Sequence, residues 1–180
     1  SNTLWDQINA LARHLAPLHD RLHAFVLSHP VIGADETHWK FLAKNGGEQE
    51  QKRWQTWVTA APTAVSYRIV PSRDAAAARE VLKGFGGVAM VDGYGVYEHL
   101  ASHDGLQLAN CWAHVRRKFF ELENVIAPAT RDEILDLIAR LYLVEKKADG
   151  PAALAALRND ESRPITGEIR VWLQRHKARE

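Results

Sequence analysis

The stretch GVAMVDGYGVYEHL, residues 87–100, indicates a strand, a turn and a short helix in succession. Its first five residues are an unbroken apolar run that opens on glycine, which is typical of a strand buried within a sheet. Asp92 and Gly93 then form a dipeptide that is common in turns, and we expect a helix over 94–101. The run VIGAD, residues 31–35, ends in a carboxylate in the same way. The two runs predict two buried strands, each followed by an acidic residue.

On either side of this stretch, strand-like and helix-like patterns alternate. The β-rich runs at 54–59 and 65–70 predict an antiparallel pair of strands, and a further short strand is expected at 106–109. Residues 74–83 predict a helix capped by Ser72 or Asp74, and residues 44–52 indicate a polar loop with a Gly-Gly turn. This order of elements predicts an α/β fold with a mixed sheet and flanking helices.

Both ends of the chain are helical by pattern. In residues 4–28, large apolar side chains recur every three or four positions and form one stripe, and Pro17 is expected to kink or divide that helix. From Cys111 onward the pattern is helical throughout, and Thr130 with Glu133 forms a capping box that is expected to open a long helix. We therefore divide the chain into an N-terminal helical segment (3–29), an α/β core (30–110) and an all-helical segment (111–180).

Composition excludes several classes of protein. The 180 residues are 46% hydrophobic and 25% charged, which is typical of a globular domain and excludes disorder. A single cysteine excludes a disulfide framework, and no apolar run approaches the roughly 18 residues of a membrane span, so we expect a cytoplasmic protein without membrane contact. The formal net charge of +1 means that any contact with nucleic acid must come from a local basic patch.

Asp35 and Asp92 are the candidate catalytic residues, since each ends an apolar strand. Ligand sites in open α/β sheets gather at the carboxyl ends of strands, and two aspartates on neighbouring strands could hold Mg²⁺, a hard cation that prefers carboxylate oxygens. Two such cations would stabilise the attacking and leaving oxygens of a phosphoryl transfer. The alternative is that Asp35 caps a turn and Asp92 opens an Asp-Gly turn.

Three strings resemble segments that occur in the same order in the insertion-sequence-66 family of DDE transposases: GADETHWKFL (33–42), VAMVDGYGVYEHL (88–100) and CWAHVRRKFFE (111–121). The similarity extends from about residue 4 to residue 172. It implies a ribonuclease-H-like core followed by an all-helical insertion, with Asp35 and Asp92 as metal-binding catalytic residues and Mg²⁺ (or Mn²⁺) as cofactor. The implied reaction is metal-dependent cleavage of a DNA strand, followed by strand transfer during transposition.

The third acid of this family, as the resemblance implies it, lies in an Asn-Asn-x-x-Glu-Arg segment that these 180 residues do not contain. We therefore expect a fragment that stops before the last catalytic helix and is inactive alone. Glu145 and Glu121 are weaker candidates for the third ligand within the chain. Glu36 is not a candidate, because strand alternation turns it away from the face that carries Asp35.

Cys111 and His114 form a Cys-x-x-His motif that also belongs to the resemblance. Cysteine and histidine at this spacing share a helix face, and with His99 and His103 they could complete a zinc site. The alternatives are structural packing near the active site, and a direct contact of His114 with DNA or with a catalytic carboxylate.

Arg116, Arg117 and Lys118 are the candidate DNA-binding residues, because guanidinium groups match the geometry of phosphates. The alternative is a solvated basic face in which Arg117 pairs with Glu121. The resemblance implies DNA as partner, both transposon ends and target, and a homo-oligomer in the full-length complex. Three other functions stay open: an inactive transposase-derived module for DNA binding or interaction, a ribonuclease-H-like nuclease without strand transfer, and a zinc-stabilised interaction domain.

Overall fold

The structure is a computed structural model that describes residues 2–40 and 53–177. The chain forms two compact units, Ser1–Cys111 and Trp112–Glu180, and each is described by itself. The polar loop expected at 44–52 lies outside the described residues. No helix in the described part of the chain is both long enough and apolar enough to cross a lipid bilayer.

The first unit is built on one five-stranded mixed sheet. Its strands are β1 (Val31–Lys40), β2 (Arg53–Ala61), β3 (Ala64–Val70), β4 (Val88–Val91) and β5 (Gln107–Asn110), in the spatial order β3-β2-β1-β4-β5. Strands β1, β4 and β5 run parallel to one another, whereas β2 is antiparallel to both of its neighbours. The predicted fold class, a mixed sheet with flanking helices, is confirmed. Strand β1 continues to Lys40, beyond the predicted residue 35, because β2 pairs with it from Gly33 to Lys40.

Three helices cover one face of this sheet: α1 (Asn2–Leu27), α2 (Ala75–Val81) and α3 (Gly95–Asp104). The core lies between these helices and the sheet, and its largest fully buried side chains include Trp57, Tyr97 and Ile32. Helix α2 begins at the predicted cap, where the Asp74 carboxylate accepts a hydrogen bond from the Ala77 amide. Helix α1 runs undivided past Pro17, contrary to the expected division.

A buried histidine joins α1 to the rest of the unit. The Nε2 atom of His23 donates to the Val81 carbonyl at 2.9 Å, and its Nδ1 atom accepts from the Ser66 hydroxyl at 3.0 Å. Burial lowers the pKa of His23 below its ordinary value of 6.5. The C-terminal half of α1 is therefore fixed to β3 and α2 through a neutral imidazole.

The other face of the sheet is open in the first unit. Along β3, Val65, Tyr67 and Ile69 are exposed, whereas Ser66 between them is buried on the helix side. Met90 in β4 is likewise exposed between the buried residues Ala89 and Val91. Successive side chains of a strand alternate between faces, so these exposed residues share one surface.

The second unit is all-helical, as the pattern predicts. It contains α4 (Trp112–Glu121), α5 (Pro128–Glu145), α6 (Pro151–Leu157) and α7 (Arg163–His176), with a π-helical turn at Arg158–Ser162 between the last two. Its core is formed by seven residues of α5 and α7: Ile134, Ile138, Leu141, Val144, Ile165, Ile169 and Trp172.

The expected capping box at Thr130 is wrong. Helix α5 begins two residues earlier, at Pro128, where proline's fixed φ suits the first helical turn. Glu133 lies inside the helix, and its carboxylate accepts a hydrogen bond from the Trp172 indole at 3.0 Å instead of capping the helix.

Candidate metal centre

Asp35 lies in β1, and Asp92 directly follows β4, the neighbouring parallel strand. The register of β1 and β4 pairs Val31 with Val88 and Gly33 with Met90. Asp35 and Asp92 each follow the last of these pairs by two residues, so continuing the register places them at neighbouring positions. Neighbouring strands are about 4.8 Å apart, which lets two carboxylates converge. Both side chains alternate away from the buried residues of their strands and lie on the open face. The two predicted acids therefore lie on the same face, each two residues beyond the paired segment of adjacent strands.

Backbone amides anchor one oxygen of each carboxylate. The Asp35 Oδ1 atom accepts from the Glu36 amide at 2.8 Å, and the Asp92 Oδ1 atom accepts from the Tyr94 amide at 2.9 Å. The second bond depends on Gly93, whose φ of +86° lets the chain turn back onto the carboxylate. Within the described residues neither aspartate forms an ion pair. Two anchored, unneutralised carboxylates side by side are a donor set that suits a hard divalent cation.

Behind these aspartates, on the covered face, Glu36 holds a polar network that the sequence analysis missed. Its side chain is 0% exposed and accepts hydrogen bonds from Arg73 Nε at 2.8 Å and from the Tyr97 hydroxyl at 2.7 Å. The Arg73 guanidinium also lies 4.0 Å from the centre of the Tyr94 ring, and the Tyr94 hydroxyl donates to the Arg73 carbonyl. Every charged group of this network is therefore paired.

The network ties β1 to α3. Glu36 directly follows Asp35, while Tyr94 and Tyr97 follow Asp92, so these contacts hold the backbone on both sides of the acidic pair. Burial, and then the charge of Glu36, raises the pKa of Tyr97 well above its ordinary value of 10. The hydrogen bond that Arg73 donates to Glu36 raises the pKa of Arg73. Tyr97 therefore stays neutral and Arg73 stays charged beside the Glu36 side chain.

The sequence itself indicated that Glu36 is buried and needs a partner. The alternation of β1 correctly placed it away from Asp35, on the side of Ile32 and Ala34, which is the buried side. An ionised carboxylate at a buried strand position is costly unless it is paired. The pattern therefore required a cationic or donor partner, although nothing in the spacing identified Arg73 or Tyr97.

The two weaker candidates for a third ligand are paired with arginines in the second unit. Glu121 lies 3.6 Å from Arg117 on an exposed surface. Glu145 accepts two hydrogen bonds from Arg158, at 2.8 and 2.6 Å, and this pairing lowers the pKa of Glu145. Among residues 2–40 and 53–177, no three His, Cys, Asp or Glu side chains form a group that could hold a metal ion.

The residues of the possible zinc site are engaged in different ways. The rings of His99 and His103 stack on each other at 4.0 Å on exposed positions of α3, and Arg79 lies 3.3 Å from the His99 ring nitrogen. Cys111 is a free, half-buried cysteine whose amide donates to the Val91 carbonyl at 3.0 Å, which extends the pairing of β4 and β5. The His114 Nδ1 atom is buried without a hydrogen-bond partner among the described residues.

The basic cluster is exposed to solvent. Arg116, Arg117 and Lys118 are all exposed on α4, and the expected pair of Arg117 with Glu121 is present. Trp112 and Phe119 of the same helix pack against the core of the second unit. The three cations are therefore exposed to solvent, with Arg117 in a surface pair with Glu121, while the aromatic residues pack against the core.

Comparison with known proteins identifies relatives over the whole chain. The family model described as "Transposase IS66 family" matches residues 1–180. The chain is 38% identical to protein y4jD of Sinorhizobium fredii (strain NBRC 101917 / NGR234) over 176 residues, which cover 88% of this chain and 34% of that protein. It is 34% identical to protein y4qI of the same strain over 161 residues, 78% of this chain and 29% of that protein. The chain thus spans about a third of the length of these relatives.

One solved structure that aligns with this chain is the catalytic core domain of HTLV-2 integrase in complex with magnesium, in a trimeric form. The match has a TM-score of 0.32 and 14% sequence identity, and covers 71% of this chain and 80% of that one.

Proposed function

The chain belongs to the IS66 family of transposases, and we propose that it is the part of the catalytic core that binds divalent cations for cutting and joining DNA. Asp35 and Asp92 hold Mg²⁺ or Mn²⁺ in this proposal. The observation that carries it is the parallel register of β1 with β4, after which Asp35 and Asp92 follow at neighbouring positions on one open face.

In this proposal some residues bind the cation and others position the residues that bind it. Asp35 and Asp92 each offer the cation the oxygen that no backbone amide engages, while the amide bonds hold the carboxylates in place. Glu36, Arg73 and Tyr97 are positioning residues, because they fix the strand and helix that carry the aspartates. When bound, the cations supply activation of an attacking hydroxyl group and stabilisation of charge at the phosphate.

DNA is the proposed substrate, and its contact residues are Arg116, Arg117 and Lys118. These cations are exposed and form the local basic patch that a chain of net charge +1 needs for binding nucleic acid. Because the chain covers only about a third of its relatives, we assign recognition of transposon ends and the third catalytic acid to the remainder of the full-length protein. The 180-residue chain should therefore bind a cation without cutting DNA.

Titration with Mn²⁺ by isothermal calorimetry tests the cation site on this chain. We expect Asp35→Asn and Asp92→Asn each to weaken Mn²⁺ binding by on the order of tenfold or more, since each removes one of two carboxylate ligands. Asp136→Asn, an exposed aspartate of α5, is the matched control and should bind as the wild type does. Unchanged binding in both D35N and D92N would reject the site.

The full-length protein separates strand transfer from simple cleavage. With labelled transposon-end DNA and a circular target, a transposase yields joined products, whereas a nuclease yields cut ends only. Asp92→Asn is the inactive control in this assay. Cut ends without any joined product would support the nuclease alternative and contradict the proposal.

A further inference from the structure

Helix α1 carries an apolar stripe that its own unit does not cover. Seven large side chains of this stripe are between 38% and 64% exposed: Leu4, Ile8, Leu11, Leu15, Leu18, Leu22 and Phe25. Trp5, beside the stripe, is 65% exposed. Contiguous apolar surface of this extent on a folded domain marks an interaction site.

The stripe is distinct from the surface that fixes α1 to the sheet. The helix is held by His19, His23 and Val26: His19 bonds to the Tyr67 carbonyl, His23 is buried, and Val26 is 0% exposed. These residues lie on the adjacent side of the helix, about a quarter turn from the stripe. The residues that fix α1 to the sheet are therefore different from those of the stripe.

The spacing of the stripe identifies the kind of partner. The steps between its seven residues alternate strictly between four and three, from Leu4 to Phe25. This is the heptad repeat of a coiled coil, with Ile8, Leu15 and Leu22 at a positions and the other four residues at d positions. A 3.5-residue repeat keeps such a seam in contact with another helix of the same repeat, whereas a sheet has no matching period. Pro17 falls at a c position, outside the seam.

The area of the stripe and the charges beside it suit packing against a second copy of the same helix. If seven large side chains each bury about half of their surface, a helix contributes on the order of 700 Å², close to the roughly 800 Å² per partner of a stable interface. The residues flanking the seam at the g positions are Gln7, His14 and Arg21, so a self-pairing seam brings few like charges together. The a and d residues are self-complementary, as a two-fold interface requires.

We propose that α1 of one chain packs along α1 of a second copy, through Leu4–Phe25, as a two-helix coiled coil that makes the protein a dimer. The proposal does not depend on the cation site. It assigns the dimer contact to the helix that directly precedes β1, the strand that carries Asp35.

Analytical ultracentrifugation of the 180-residue chain, from about 1 to 100 µM, tests the proposal. We expect a reversible monomer–dimer equilibrium, and we expect Leu11→Glu/Leu18→Glu to weaken it on the order of a hundredfold, because two charges enter the apolar seam. Thr3→Glu/Ala24→Glu adds the same charge at exposed c positions of α1 and should dimerise within about twofold of the wild type. Circular dichroism checks that each variant keeps its helix content.

Two results would overturn the proposal. A wild-type chain that stays monomeric throughout this range would show that the stripe is covered by something other than a second copy, such as another segment of the full-length protein. L11E/L18E dimerising as strongly as the wild type would place the contact elsewhere. If L11E/L18E loses helix content, Leu11→Ala/Leu18→Ala gives the same test, with an expected loss of on the order of tenfold.

Discussion

Asp35 and Glu36 are consecutive residues of β1 that face opposite sides of the sheet. The Asp35 side chain is exposed on the open face, whereas the Glu36 side chain is fully buried against Arg73 and Tyr97. Two adjacent acids in one strand therefore have separate roles: one is available to a cation, and the other holds the scaffold behind it.

Replacing Glu36 should destabilise the fold, and replacing Asp35 should not. Glu36→Gln removes the charge that pairs with Arg73, whose side chain is 38% exposed and can partly rehydrate. We expect the free energy of unfolding to fall by about 1–3 kcal/mol, less than for a pair buried on both sides. Urea denaturation measures it.

Asp35→Asn is the matched control for that measurement, since it makes the same change one residue earlier on the exposed face. Its free energy of unfolding, measured without divalent cations, should stay within about 0.5 kcal/mol of the wild type. Equal losses in the two variants would contradict the division of roles.

Gly93 should be more sensitive to substitution than Gly95, although the two glycines flank the same tyrosine. Gly93 has a φ of +86°, where a Cβ atom costs about 1–2 kcal/mol. Gly93→Ala should therefore lower stability by about that amount and weaken Mn²⁺ binding, because the Tyr94 amide bond to Asp92 depends on this turn.

Gly95→Ala provides the comparison. Gly95 begins α3, and an added Cβ there meets nothing within 4 Å. The free energy of unfolding of the Gly95→Ala variant should be unchanged or higher by up to about 1 kcal/mol. Thermal melts and Mn²⁺ titration of both variants check the pair, and a G93A protein with wild-type Mn²⁺ affinity would show that the turn does not position Asp92.

His23 should make the protein less stable in mild acid. Burial holds its folded-state pKa below the ordinary value of 6.5, so the unfolded chain takes up a proton that the folded chain does not. Its contribution to stability is complete above about pH 6.5 and is lost as pH falls through the folded-state pKa, by at most about 1.4 kcal/mol per pH unit.

Urea denaturation between pH 5 and 7.5 measures this dependence. His23→Asn, which cannot titrate in this range, should flatten the pH dependence relative to the wild type. His14→Asn alters an exposed histidine of the same helix and serves as the control. If H23N kept the full wild-type slope, the acid sensitivity would originate elsewhere.

The basic cluster should contribute to DNA binding through salt-sensitive phosphate contacts. Neutralising Arg116, Arg117 and Lys118 together should reduce the slope of log affinity against log salt concentration by about 2–3. Fluorescence anisotropy with a labelled DNA duplex, repeated at several salt concentrations, measures this slope. Arg13→Ala/Arg21→Ala/Lys83→Ala removes the same charge from exposed positions elsewhere and should leave the slope near that of the wild type. A similar loss in both triple variants would point to net charge alone.

Much of the fold could be predicted from local patterns. The apolar run before Asp92, the hairpin at 53–70 and the capped helix α2 each follow a rule that operates within about ten residues. The structure confirms these elements with shifts of a few residues at their ends. Strand β1 was predicted too short because four of the residues 36–40 are polar, and pairing with β2 extends the strand.

Contacts between residues that are far apart in the sequence could not be predicted from it. Arg73 and Tyr97 are 37 and 61 residues from Glu36, and no local pattern joins them. The same holds for Glu133, which looked like a capping residue but bonds to Trp172, 39 residues away. Heptad spacing on α1 was visible, yet only the structure shows that the stripe is left uncovered.

The position of Cys111 has a practical consequence. Its amide continues the pairing of β5 with β4 to the level of Asp92, and it is the single thiol among the 180 residues. A maleimide fluorophore or spin label attached there would occupy one defined place, a strand away from the acidic pair. Paramagnetic quenching by Mn²⁺ could then report cation loading directly, with no background from other thiols in this chain.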